Sequence, residues 1–571
     1  MSGAALTDLD PAQREAAHST ARRLLVAAGP GSGKTRVLAS RYARLLTEGI
    51  GRKNILVLTF TNRAAREMRE RIEKLTGMET ASFPIGTFHW FCLGLLKKER
   101  GFRLYGRVQQ TNLLKELDVK NPAKEAERIS AVKNLGPDAG AEIPDSFHAY
   151  GEAMRERNAL DLDDLVPESL KLLSEDPALL DRYRELFRHI LVDEYQDINP
   201  PQAALIKLLA GEGGEGEEGG EGEEGKREIK LLAIGDPDQS IYGFRGGNLK
   251  GFLAFEEEYP GSEVVALERN YRSSGNIVSA AASLIKNNGA RAAKGMLPVK
   301  DTGEKITVVV CGDENGEADF IIKEVETMMG GLSSLTVGGG RGDGDEGYRF
   351  SDFAVIVRTN RQAEMIGESF RSSSIPCQVV GRVPGLSEFI AHIRGVDVPP
   401  GMSLDAFIKK EGDTFAVEEW RLSHLERAAK EFQRTEEVAS LNTFIERLTL
   451  MEPPDFCDVE ADRVTVLTAH MTKGLEFPVV FIAGCEQRLF PLHVKGGETD
   501  TEEERRLFYV AMTRAREKLY LLSAKSRRLW GETVSPLESP FLGELPERLV
   551  RKTAFKRKKS RRRAPQKGLF D

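Results

Sequence analysis

The chain has 571 residues, 40% of them apolar and 30% charged, with a formal net charge of −7; that length exceeds what one hydrophobic core supports and predicts three or four domains. No apolar run reaches the length of a membrane span and the N-terminus lacks the apolar core of a signal peptide, which argues against a membrane or secreted protein. The five scattered cysteines (Cys92, Cys311, Cys377, Cys457 and Cys485) form no CxxC pair, which argues against a disulfide framework, zinc ribbon or iron–sulfur cluster and predicts a cytoplasmic protein.

In chain order, residues 22–46 (RRLLVAAGPGSGKTRVLASRYARLL) read as an apolar strand, a glycine-rich turn and an amphipathic helix. Within them AGPGSGKT at 28–35 fits the P-loop pattern, with Ala28 where the first glycine usually stands. Gly29, Gly31 and Gly33, with Pro30 and Ser32 between them, let the backbone wrap a polyphosphate. The N–H groups of the helix that opens Lys34-Thr35-Arg36 then point at it. Lys34 is placed to neutralise the β- and γ-phosphates, and Thr35 to hold Mg²⁺. A chance glycine-rich turn is the bland alternative, and the strand and helix flanking it tell against that.

Residues 98–186 carry a mostly charged helical pattern and predict a helical insertion. FRHILVDEYQDINPPQ (187–202) is an apolar strand ending in Asp193-Glu194. Two adjacent acids usually mark a solvated strand end. Downstream of a P-loop, Asp193 is placed to bind Mg²⁺ through water, and Glu194 to polarise the attacking water as general base. GEGGEGEEGGEGEEG (211–225) holds seven acidic residues with nothing to pack, and predicts a solvated loop, as does GGGRGDGDEGY at 338–348. LLAIGDPDQSIYGFRGG (231–247) interleaves Asp236, Gln239 and Arg245 with Tyr242 and Phe244. Alone, such aromatics read as core; beside a nucleotide site they suggest base stacking, worth about 1–3 kcal/mol each and indifferent to sequence. Strand–helix alternation in the P-loop half recurs over 305–383 and 463–525, so the fold class is α/β with two parallel sheets plus helical insertions. Helical stretches lie near 404–434 and 440–450.

Seven more stretches complete the pattern: LDPAQREAA (9–17), VLTFTNRAAREMRER (57–71), GTFHWFCLGLL (86–96), ALDLDDL (159–165), LERNYRSS (267–274), LTAHMTKGLEFPVVFIAG (467–484) and EEERRLFYVAMTRAREKLYLL (502–522). With the P-loop and the acidic pair, this ordered set resembles the UvrD/Rep/PcrA-type superfamily 1 DNA helicases over most of 1–97, 187–383 and 459–545. The resemblance implies ATP with Mg²⁺, single-stranded DNA and single/double-strand junctions as partners, and 3′→5′ movement. It implies that Gln13 reads adenine, Tyr271 stacks on it, Arg272 reaches the γ-phosphate, Gln239 serves the same chemistry and Glu476 holds the ribose. Arg514 becomes the arginine finger. Phe60, Thr87, His89, Tyr242, Phe244, Arg245 and His470 become DNA contacts. It also implies two RecA-like domains, 1–97 with 187–262 and 263–383 with 459–545. The insertion is then 98–186, a reduced accessory segment 384–458, and a basic disordered tail 546–571.

Three departures from the family pattern stand out. Trp90 replaces a small polar residue, the acidic insertion lies between two motifs where none is required for chemistry, and only about 75 residues remain where full-size relatives place a large accessory subdomain. Trp530, in a region resembling a duplex-splitting hairpin, reads equally as a fork contact or a core aromatic. The reduced segment keeps open a translocase that strips proteins from single strands and unwinds poorly. An ATP-gated binding module remains a further alternative. The tail carries a net charge of +9 over 551–571, leaving the first 550 residues at −16, so overall acidity does not exclude nucleic acid. It ends in QKGLF, where Gln566, Leu569 and Phe570 resemble a sliding-clamp docking motif; the bland reading is a frayed end with two incidental apolar residues.

Overall fold

The computed structural model describes residues 8–135, 142–211, 229–243, 246–247, 249–289, 291, 294–330, 347–381, 386–415, 417, 419–435, 440–458, 460–493, 499–529 and 531–556. Phe244, Arg245, Trp530, Gln566, Leu569 and Phe570, with most of both glycine-rich stretches, lie outside them. Among the described residues no helix is long and apolar enough to cross a membrane. The chain divides into two compact units: 1–273 with 288–300 and 380–458, and 274–287 with 301–379 and 459–571.

The first unit is built on six parallel strands: β1 (Arg23–Ala28), β2 (Ile55–Thr59), β3 (Ile85–Thr87), β4 (His189–Val192), β5 (Lys230–Gly235) and β6 (Glu263–Leu267), in the order β3-β2-β4-β5-β1-β6. The central strands are almost wholly apolar because both faces are covered. Leu25, Ala27, Leu56, Leu58, Leu231 and Ala233 face one core, while Leu24, Val26, Ile55, Val57, Leu232 and Ile234 face the other. Helices α1 (Pro11–His18), α2 (Lys34–Thr47) and α3 (Asn62–Thr76) close the second core; α4 (Phe88–Glu99) and the helices Leu165–Glu175 and Pro177–Leu186 close the first. Each fully buried Leu or Ile contributes about 1.5–3 kcal/mol relative to exposure.

Two segments extend this unit. In the helical insertion, Arg103–Tyr105 pairs with Ala159–Asp161. Asp161 is completely buried, accepting from Lys133 Nζ at 2.7 Å and from the Tyr150 hydroxyl at 2.9 Å. The segment from 386 forms helices Leu386–Ile393, Leu404–Thr414, Glu419–Thr435 and Leu441–Thr449 around a core of its own. It is fixed to the first unit by a Lys97–Glu446 ion pair at 2.6 Å and a bond from Arg394 Nη1 to Leu104 O at 3.0 Å. Buried Asp455 adds a third tie: it accepts from the Arg63 backbone N–H and from Asn62 Nδ2, both at 3.0 Å. That is a second N-cap for α3, which Thr61 already caps.

The second unit holds seven strands: β7 (Ile306–Cys311), β8 (Phe353–Val357), β9 (Cys377–Val380), β10 (Val464–Thr468), β11 (Phe477–Ala483), β12 (Ala515–Ala524) and β13 (Val550–Ala554), in the order β9-β10-β8-β11-β12-β7-β13. A buried cluster anchors the hairpin Arg527–Leu529/Glu532–Val534 here, with Arg527 ion-paired to Glu317 and, at 2.7 Å, to Glu486.

Three boundaries differ from those the sequence suggests. Residues 263–273 belong to the first unit, because β6 pairs with β1 along its length. So do residues 288–300, where Leu297–Pro298 pairs with Arg269–Asn270. The tail does not begin at 546: β13 adds in parallel to β7, with Arg551 and Lys552 exposed. Asp455→Ala removes a buried acceptor from three donors, Asn62 Nδ2 and the N–H groups of Arg63 and Glu452, and is expected to cost about 1–3 kcal/mol, read as a lower urea midpoint. An unchanged midpoint would show that the carboxylate does not hold the segment in place.

Candidate active site

Parallel strands deliver all their carboxyl ends to one edge, and β1, β4 and β5 are neighbours there. β1 ends at Ala28 and runs into the glycine-rich turn. Gly31 (φ +66°) and Gly33 (φ +87°) adopt the left-handed conformation that favours glycine. Gly31 also has no room for a side chain, since a Cβ there would lie 2.5 Å from Arg272 Cβ. Gly33 caps α2 without a side-chain hydrogen bond, an N-terminus of the kind that suits an anion. Lys34 Nζ donates to Ala28 O at 3.2 Å and Gly29 O at 3.3 Å, folded over the mouth of the turn.

Three side chains brace the turn. Gln13, buried in a capping box with Asp10, donates from Nε2 to Ser32 O at 2.8 Å. The Tyr271 hydroxyl donates to Asp10 Oδ2 at 2.6 Å, leaving its ring 38% exposed beside α1. Asn270 makes the tightest link. Its Nδ2 donates to Pro30 O at 2.6 Å, and its Oδ1 accepts from the N–H groups of Arg272 and Ser273 at 3.0 and 2.9 Å. Tyr271 N donates to Gly31 O at 2.9 Å. Arg36, grouped with the nucleotide ligands in the sequence, instead pairs with Asp8 at 2.6 Å.

The acidic pair follows β4. Asp193 is buried, and Glu194 sits at φ +53°, a strained backbone for a residue with a side chain. Buried Gln196 holds it: Nε2 donates to Glu194 Oε2 at 2.8 Å while Oε1 accepts from Asp236 N at 2.8 Å. Gln196 thereby ties the end of β4 to the end of β5. Beyond β5, Gln239 Nε2 donates to Asp236 Oδ2 at 2.6 Å.

The first unit thus brings together Gln13, the turn 28–35, Asp193, Glu194, Gln239, Tyr271 and Arg272. Tyr271 and Arg272 were expected from the second half and stand here because β6 carries them to the P-loop. Asn270 and Gln196 were missed, although both lie inside the quoted LERNYRSS and DEYQD stretches. Lys294 and Arg291, which pair with Asp236 and Asp238, lie in a stretch with no motif. The site suits a magnesium nucleotide: a capless helix N-terminus, a glycine cradle that a Cβ would fill, an ammonium group, and one carboxylate with one hydroxyl. Mg²⁺ characteristically takes one or two carboxylates and completes its shell with phosphate and water.

Among the expected DNA contacts, Phe60 and Tyr242 pack on each other with ring centroids 4.8 Å apart, and Tyr242 is buried. Buried Thr87 caps α4 by accepting from Trp90 N at 3.2 Å. The Trp90 ring lies so close to Gly86 that a Cβ would stand 2.2 Å from it, so position 86 has no room for a side chain. His89 lies in the first turn of α4, half-buried. In the second unit His470 lies in the turn Ala469–Thr472, and Glu476 pairs with Arg516 at 2.9 Å. Arg514 is buried there, donating to Val510 O at 2.9 Å and Leu475 O at 3.2 Å.

The UvrD/REP helicase N-terminal domain family matches residues 9–139 and 109–260, and the UvrD-like helicase C-terminal domain family matches 265–384 and 405–526. The chain belongs to the UvrD/Rep helicase family. ATP-dependent DNA helicase PcrA of Staphylococcus aureus (strain MRSA252) is 31% identical, covering 96% of this chain and 87% of its own length. PcrA of Staphylococcus epidermidis (strain ATCC 12228 / FDA PCI 1200) is similar to the same extent. The first alignment runs over 670 positions against 571 residues, so this UvrD/Rep member lacks segments that its relative carries. Asn270→Ala leaves one carbonyl and two N–H groups without their buried partner, and is expected to raise the KM for ATP about tenfold, or about 1.4 kcal/mol. Steady-state ATPase titration checks this, and an unchanged KM would mean the P-loop is shaped without the latch.

Proposed function

We propose that this ATP-dependent DNA helicase moves 3′→5′ on single-stranded DNA and opens single/double-strand junctions in DNA repair or replication. The observation that carries the reading is the meeting of Lys34, Asp193, Glu194 and Gln239 at one sheet edge. We assign the N–H groups of residues 31–35, with the Lys34 side chain, to the phosphates. Thr35 and Asp193 would hold Mg²⁺, which neutralises charge on the phosphate oxygens. Glu194 takes a proton from the attacking water, in an orientation that Gln196 fixes. Gln239 and Arg272 contact the γ-phosphate, Gln13 and Tyr271 hold the base, and Glu476 holds the ribose. Arg514 stabilises charge as the γ-phosphate departs, which requires its guanidinium to leave the carbonyls of Val510 and Leu475. Phe60, Thr87, Tyr242, His89 and His470 are the DNA contacts we assign on described residues.

A second reading, a translocase that displaces proteins and unwinds poorly, draws support from the short 386–458 segment and its ties to the first unit through Asp455 and Glu446. Paired assays separate the two. Strand displacement on duplexes with 3′ or 5′ tails should depend on the 3′ tail, and streptavidin should be released from single strands biotinylated at the 5′ end. Streptavidin release without strand separation would favour the translocase, and 5′-tail dependence would overturn the direction. For Gln566, Leu569 and Phe570 the inferred partner is a sliding clamp, on sequence grounds alone. Titration of a 551–571 peptide against the triple-alanine version tests it, and equal binding by both would refute it.

Lys34→Ala should abolish ATPase. Glu194→Gln should cut kcat by at least about a hundredfold while ATP and single-strand binding persist, since the base alone is lost. Arg514→Ala should lower kcat by about a thousandfold with little change in ATP affinity. A Glu194→Gln protein with near-normal kcat would remove Glu194 from the base role. A weakened affinity with unchanged kcat would make Arg514 a ground-state binder.

A further inference from the structure

The turn Pro237–Gln239 after β5 is capped by one buried carboxylate, Asp236, and contains a second, Asp238, and the cations of both come from one distant segment. Asp236, completely buried, accepts at Oδ1 from Asp238 N at 3.1 Å and from Lys294 Nζ, and at Oδ2 from Gln239 Nε2 at 2.6 Å. Asp238 takes a bidentate pair from Arg291 Nε and Nη2, both at 2.9 Å, and lies 3.4 Å from Lys294 Nζ. The Lys294 side chain is 3% exposed. Two carboxylates and two basic side chains therefore meet at one largely buried site. Removing one cation would leave a buried carboxylate uncompensated.

The cations arrive on residues 288–300. After Ser273 the chain gives the helix Gly275–Ile285 to the second unit, returns for 288–300, and leaves again. Past Lys294 the returning stretch runs beside the P-loop latch. Gly295 N donates to Glu268 Oε1 at 2.7 Å, Leu297 N to Glu268 O at 2.8 Å, and Val299 N to Asn270 O at 3.0 Å. One short strap thus holds both the turn bearing Gln239 and the strand bearing Asn270. Burial and, next, the Lys34 charge lower the Lys294 pKa.

We propose that Lys294 is a positioning residue for ATP hydrolysis: paired with Asp236, it fixes the direction of the Gln239 amide and ties that turn to the segment that braces the P-loop. The inference rests on the assignment of Gln239 to the γ-phosphate. Since Lys294 touches the turn and not the site assigned to substrate, its loss acts on turnover more than on ATP binding.

The test compares Lys294→Met, Asp236→Asn, the double variant and Gln239→Ala in the full chain, by ATPase with and without single-stranded DNA and by thermal unfolding. Lys294→Met is expected to lower DNA-stimulated kcat about tenfold or more with KM for ATP within about threefold of wild type, as for loss of an orienting group. The double variant is expected to recover kcat at least about threefold over Lys294→Met, because the lost cation no longer leaves position 236 charged, while its single amide oxygen accepts from Gln239 and the Asp238 N–H loses its acceptor. Full activity in Lys294→Met, or a folded double variant as impaired as the single, would overturn the proposal. If Lys294→Met does not fold, the double variant decides alone: folded and active supports the pairing, and folded but inactive, or unfolded, overturns it. A wild-type rate in Gln239→Ala would instead remove the assignment of Gln239 on which the inference stands.

Discussion

Every functional contact in the first unit depends on strands that run in one direction. A parallel sheet covered on both faces offers its carboxyl edge as the place where polar backbone and side chains can gather. Here β5 lies between β1 and β4, so the P-loop, the acidic pair and the turn bearing Gln239 are neighbours in space although some 200 residues separate the first from the last. Cross-links then make the edge stiff. Gln196 joins β4 to β5, Asn270 joins the segment after β6 to the P-loop, and Gln13 reaches in from α1. Each is buried and amide-bearing, able to donate and accept at once without bringing a charge into the sheet edge.

Much of this was legible in the sequence because its signals are local. A strand, three glycines, a Lys-Thr pair and a helix lie within 25 residues, and Asp193-Glu194 ends an apolar run. What the sequence hid was which distant partner each local signal meets. EVVAL at 263–267 reads as a strand in any sheet; only its pairing with β1 puts Tyr271 and Arg272 on the P-loop. VRKTA at 550–554 carries basic residues like the tail that follows, yet β7 offers a free edge and the segment takes it. Lys294 sits in RAAKG, a stretch with no apolar period and no motif. Its meaning comes from two carboxylates more than fifty positions upstream.

The aromatic residues teach a related lesson. Tyr242 was legible as either a base-stacking platform or a core residue, and it is buried against Phe60. The pair lies where the segment after β2 meets the turn after β5, so a base contact there would act on the nucleotide edge through two strand ends at once. The accessory segment has a similar reach. Asp455 caps the helix that begins two residues after Phe60, so the short segment supports the helix behind an assigned DNA contact.

The most direct measurement of the whole account is an experimental structure of the protein with Mg²⁺ and a non-hydrolysable ATP analogue. The account predicts the triphosphate along residues 29–35, the metal between Thr35 and Asp193, and the γ-phosphate within hydrogen-bond distance of Lys34 and Gln239. A nucleotide bound away from the carboxyl edge of β1, β4 and β5, or a metal that Asp193 does not approach, would contradict it.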